Sequence, residues 1–158
     1  MAVEERKTLV PVQVKDEDKV NYGRVVDRRE QRGPFQFFRV APELPEGRNR
    51  AVERLAGSDI ESAIVHIIRQ GGENDLHAHR AQDAVWLVLE GQITFYDQDH
   101  QAVAVLNPRE GLFVPRGTPY YFSSTGDQTA ILLRVSAKAT DVPNERWDYA
   151  RPFDSSRD

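Results

Sequence analysis

Val85-Trp86-Leu87-Val88-Leu89-Glu90-Gly91-Gln92-Ile93-Thr94-Phe95-Tyr96 holds two short runs of branched and aromatic residues parted by a Glu-Gly turn signal. Such side chains fit a pleated, half-buried surface, so the stretch reads as two strands and a tight reversal. The same unit recurs on both sides of it. Ala63 to Arg69, Leu76 to His79, Ala102 to Leu106, Leu112 to Val114, Tyr120 to Ser123 and Ala130 to Val135 are further short apolar segments. Gly71-Gly72, Asp97-Gln98-Asp99, Asn107-Pro108, Pro115-Arg116-Gly117 and Thr125-Gly126 punctuate them. A turn every 8–12 residues or so is the rhythm of a sandwich or barrel, and the pattern predicts an all-β domain.

Outside this region the rhythm fades. Residues 1–34 are charge-rich and are read as an N-terminal arm, with one short strand over Thr8 to Val14. Phe35 to Val40 reads as a strand, Ala41 to Asn49 as a loop and Ala51 to Leu55 as a short helix. The barrel is assigned to residues 35–136. The tail, 137–158, is polar except for Trp147, Tyr149 and Phe153, aromatics that would pin it to the body.

Composition excludes several classes. The chain has 158 residues, 39% hydrophobic, enough for one domain with a real core. With 21 basic and 25 acidic residues its formal net charge is −4, which offers no broad cationic face to nucleic acid. The absence of cysteine removes disulfides, thiolate zinc sites, iron–sulfur clusters and cysteine nucleophiles. No long apolar run or export signal is visible, so no membrane partner and a cytoplasmic location are expected.

The chemistry concentrates in Gly71-Gly72-Glu73-Asn74-Asp75-Leu76-His77-Ala78-His79. On a strand, residues two apart face the same way, roughly 6.5–7 Å apart at Cα, so His77 and His79 can meet one metal ion or simply hydrogen-bond to neighbours.

Two motifs then resemble those of the cupin superfamily. The first is glycine, five residues, His-x-His, a spacer with a glutamate, and a closing glycine; here it runs from Gly71 through His77 and His79 to Gly91. The second is Pro-x-Gly, two residues, His, three residues, Asn; here Pro115-Arg116-Gly117 leads to Tyr120 and Ser124. The resemblance implies a jelly-roll barrel, or double-stranded β-helix, and a homodimer whose arm packs on the second subunit. Two of the four family ligand positions differ: Ala84 stands where the glutamate belongs and Tyr120 where the third histidine belongs. A divalent metal (Fe, Zn, Mn or Ni) would therefore rest on His77 and His79. Asp83 could join as a third ligand if a one-residue bulge turned it inward, and Asp75 is another candidate.

Alternation places Ala84, Trp86 and Val88 together on the inner face and Phe122 on the same side as Tyr120, with Ile93 and Phe95 joining that lining. Trp86, Phe95, Phe122 and Arg80 are the candidate substrate contacts. Among the remaining polar residues, His66 is read as a satisfied core histidine in preference to a third ring in the cavity, and His100 as solvated. Arg39 and Arg69 read as surface charges.

Two classes of function follow. One is an enzyme in which a metal on His77 and His79 polarises a small organic acid, ketone or aromatic intermediate while Tyr120 moves a proton, giving isomerase, cyclase or lyase chemistry. Metal-free acid–base catalysis by His77, His79 and Tyr120 is a variant of it, and an iron-dependent dioxygenase is a weaker one. The other is a non-catalytic module that binds a small molecule or serves in an assembly.

Overall fold

The computed structural model describes residues 11–12, 30–32, 34–40 and 43–149. Its strands are β1 (Pro11–Val12), β2 (Glu30–Arg32), β3 (Phe35–Phe37), β4 (Arg50–Gly57), β5 (Glu61–Ile68), β6 (His77–His79), β7 (Gln82–Glu90), β8 (Ile93–Tyr96), β9 (Ala102–Leu106), β10 (Gly111–Val114), β11 (Tyr121–Ser124), β12 (Ala130–Lys138) and β13 (Arg146–Tyr149). A five-stranded antiparallel sheet in the order β10-β7-β12-β5-β4 faces a three-stranded sheet, β11-β8-β9. β6 lies in a small sheet, β1-β13-β6, and β2 pairs with β3. Among the described residues no helix is long and apolar enough to cross a membrane.

The main core fills the space between the two large sheets. Ile68, Ala84, Trp86, Val88 and Leu132 enter from the five-stranded sheet and meet Ile93, Phe95, Leu106, Tyr120 and Phe122. Strand alternation explains the choice: Ala84, Trp86 and Val88 are buried while Val85 and Leu89 between and beyond them are exposed.

Ala51 to Leu55, expected as a helix, is the middle of β4, an edge strand paired with β5. A spacing of four residues puts Ala51 and Leu55 on one face in either conformation, so the local pattern is ambiguous. Pairing decides it. Ala51 and Leu55 are buried on the outer face of the sheet with Val65, Ile67 and Ile131, under Val40 and Leu44. That cover also explains why β5 is apolar on both faces.

The tail contributes a strand that its polar composition did not suggest. β13 pairs with both β1 and β6, and Tyr149 and Trp147 pack on Leu76 and Ala78. Phe153 and most of the arm lie outside the described residues.

The turn between β7 and β8 needs its glycine. Gly91 has φ 73°, and a Cβ there would stand 2.7 Å from the Cα of Ala130. Gly91→Ala is expected to cost about 1–2 kcal/mol from the left-handed backbone alone, with the contact adding to it, and a lowered urea midpoint measures the sum.

Candidate functional site

His77 and His79 share the inner face of β6, with Ala78 turned the other way into the third cluster. The backbone of His77 exchanges two hydrogen bonds with Tyr120, at 3.1 and 2.9 Å, just before β11 begins. The bridge sets the Tyr120 ring 4.7 Å from the His77 ring, and the His79 ring lies 5.0 Å from His77 on the other side. These groups border a cavity of about 150 Å³ whose wall also includes Trp86, Phe122 and Asn74. An apolar cavity of about this volume admits a benzene ring, which sets the scale for a ligand.

His66 is buried and hydrogen-bonded, as a core histidine would be, and it also belongs to the same wall. It sits on the inward face of β5 with Ile64 and Ile68, while Val65 and Ile67 take the covered outer face. Its ring stands 5.0 Å from Trp86 and its Nδ1 accepts a hydrogen bond from Arg50 Nη2 at 3.1 Å.

The other expected contacts separate. Asp83 points out of the barrel, where it accepts the Arg116 backbone N–H at 2.8 Å and pairs with the Arg116 guanidinium at 3.3 Å. The bulge that would have turned it inward is absent, since β7 and β12 stay in register from Leu132 to Lys138. Asp75 is exposed and meets His77 through its backbone carbonyl. Arg80 is half-exposed and paired with Glu145 at 3.1 Å, away from the cavity. Phe95 lies behind the wall, stacked 6.1 Å from Tyr120. Arg39 is exposed and Arg69 binds Asn49. His100 is half-buried, its Nδ1 3.2 Å from the Tyr121 hydroxyl.

The three charged residues of the cavity wall, Arg50, Arg134 and Arg146, escaped the sequence reading, as did Val52, Ile64 and Asn74. Arg134 left a signal, a lone charge inside the apolar run Ala130 to Val135, two residues after inward-facing Leu132. Arg146 sits in the tail and carries an ion pair to Asp148 at 2.7 Å.

Protonation follows from this wall. His79 is pushed down to about 3, first by burial and then by the charges of Arg134 and Arg146. Burial, reinforced by Arg146 and His79, holds His77 well below its ordinary value; burial and then Arg50 and Arg134 do the same to His66. All three rings are therefore neutral. His77 Nδ1–H donates to the Asp75 carbonyl at 2.7 Å, which leaves its Nε2 as a lone pair. Burial raises the Tyr120 phenol, so its proton is retained. The Trp86 indole N–H lies near that phenol without completing a hydrogen bond, and neither Trp86 Nε1 nor the Tyr120 hydroxyl has a partner among the described residues.

A divalent cation does not fit these residues. The cavity wall contains no carboxylate and three arginines, and among the described residues no three His, Asp or Glu side chains group as ligands. Two neutral imidazoles beside guanidinium charges oppose a cation that carboxylates and thiolates ordinarily neutralise.

Comparison with known proteins identifies the frame around the cavity. A curated relative, the uncharacterized protein YdbB of Bacillus subtilis (strain 168), is 33% identical over 73 residues, covering 44% of this chain and 64% of that protein. The chain thus spans somewhat less than two thirds of that relative. A Klebsiella pneumoniae protein with a double-stranded β-helix domain superposes with a TM-score of 0.60 at 14% identity, over 70% of this chain and 87% of that one. A cupin superfamily protein from Desulfitobacterium hafniense gives 0.53 at 21% identity, over 61% and 84%. The family model described as "Cupin domain" matches residues 64–136, from β5 through most of β12 and across both motifs. Residues 64–136 of this chain carry a cupin domain.

Proposed function

We propose that the cavity is a metal-independent acid–base site acting on a small oxo or hydroxy compound, with chemistry of the isomerase or lyase type. The observation that carries this reading is the adjacent pair His77 and Tyr120, a ring with an unprotonated Nε2 and a protonated phenol, 4.7 Å apart on one wall of the cavity. His77 Nε2 takes a proton from the carbon beside a carbonyl. The Tyr120 hydroxyl donates a hydrogen bond to the carbonyl oxygen as negative charge develops there, and the proton returns to the same or a neighbouring atom.

By itself His77 is a weak base, because burial and nearby arginines disfavour its charged form. Negative charge on a bound molecule offsets those arginines and raises the ring's proton affinity, which couples base strength to occupancy.

The test is exchange of carbon-bound hydrogen in D2O, followed by NMR with a panel of small ketones and oxo acids, in the presence of EDTA. Exchange is expected for at least one compound and is expected to be indifferent to the chelator. Tyr120→Phe should slow it at least about tenfold while leaving stability equal or higher, because the variant deletes a buried hydroxyl that lacks a partner. His77→Gln should abolish it. Absence of exchange across the panel, or exchange that EDTA removes, overturns the reading.

A further inference from the structure

Arg134 is buried, with 7% of its surface exposed, on the inward face of β12 beside Trp86. Its Nη2 donates to Gln82 Oε1 at 2.7 Å, and its guanidinium carbon lies 5.6 Å from the centre of the Trp86 ring. No carboxylate lies within ion-pair distance of it among the described residues, and its Nε makes no hydrogen bond. A buried guanidinium stays charged, and burying a cation without a counter-charge is among the most costly arrangements a fold can hold.

The other partnerless polar atoms of the wall have the same sense. Trp86 Nε1–H can only donate, and the Tyr120 phenol, holding its proton, has a donor to offer. All belong to residues lining the cavity of about 150 Å³. A positive charge and two neutral donors, buried together with no carboxylate to receive them among the described residues, are complementary to a single compact anion.

We infer that the cavity binds a small carboxylate, its oxygens received by the Arg134 guanidinium and the Trp86 indole N–H, with the Tyr120 proton left for a neighbouring oxygen of the same molecule, so that the bound anion supplies the counter-charge the wall lacks. The apolar faces of Phe122 and Trp86 then hold the rest of the molecule, and the size of the cavity limits it to about the bulk of one six-membered ring. This deepens the reading above by naming the substrate class of the same site and rests on the same cavity; it does not require that proton transfer occur. The site in which cupin relatives would be searched for a cation is, in this chain, arranged for an anion.

The experiment is a binding titration of the wild-type chain, by calorimetry and thermal shift with EDTA present, using acetate, pyruvate, butyrate and benzoate, each against its amide. At least one carboxylate is expected to raise the melting temperature and its amide to leave it unchanged. Arg134→Met should weaken that carboxylate at least about tenfold, while the ligand-free variant melts no lower than ligand-free wild type, because a cation lacking a counter-charge has been removed. Amides that bind as well as their acids, no binding by any acid, or undiminished binding in Arg134→Met would overturn the inference. So would a variant that loses both binding and ligand-free stability, which would make Arg134 a packing residue. If Arg134→Met does not fold, Arg134→Lys, which keeps the charge and loses the fork, should retain the preference for acid over amide at reduced affinity. Carboxylate binding without hydrogen exchange removes the acid–base reading and leaves the anion site; exchange on neutral ketones with no preference for acids does the reverse.

Discussion

Acidification below pH 6.5 is expected to destabilise the protein steeply, well before surface carboxylates alone would do so. In the folded chain His66, His77 and His79 are held neutral, His79 down to about pH 3. In the unfolded chain each titrates near 6.5. Above that value both states are neutral and the full contribution to stability is present. As pH falls the unfolded state binds protons that the folded state refuses, so stability is lost through the window from 6.5 toward about 3. Each ring contributes up to about 1.4 kcal/mol per pH unit, and three together up to about 4, against a total stability on the order of 5–15 kcal/mol. Urea midpoints followed by tryptophan fluorescence at pH 7, 6 and 5 should fall progressively. His79→Asn should remove about a third of the slope. A midpoint unchanged between pH 7 and 5 would mean that the rings are hydrated and the cavity wall is wrong.

Phe122→Ala is expected to cost about 3–5 kcal/mol, the range for deleting a large aromatic from a packed core. The side chain is fully buried, 5.0 Å from the Trp86 ring, 5.2 Å from Phe95 and 5.8 Å from His66. It joins the three-stranded sheet to the wall of the cavity, and its backbone N–H is held by Asn74 Oδ1 at 2.7 Å. Loss of the ring would leave the Arg50 guanidinium, now 5.6 Å from its centre, without that face. Denaturant titration should give a lower midpoint with little change in slope, and Phe122→Leu should recover most of the loss. A cost under about 1 kcal/mol would show that the aromatic cluster is not what joins the sheets.

The strands from β5 to β12 were legible because most are short runs rich in branched and aromatic residues, set between turn residues with a conformational reason to be there. Trp86 and Phe122 could be placed on the inner faces because side chains alternate along a strand, as could His77 and His79 on one side of β6. β4 was misread because the spacing of Ala51 and Leu55 suits helix and strand alike, and only its partner β5 breaks the tie. β13 was missed because its pairing with β6 joins residues some seventy positions apart, and no local pattern records it.

The arginines mark the boundary between the two kinds of information. By itself the sequence determined which side chains alternate inward and which two motifs enclose them, because a strand's period is a local property of the backbone. Only the tertiary structure decided the sign of the cavity: Arg50 comes from β4, and Arg134 and Arg146 come from β12 and β13, more than eighty positions later, while Asp83, beside the position of the missing glutamate, is turned outward to Arg116. Charge at a point depends on everything folded around it, and that sum exists only once the sheets have closed.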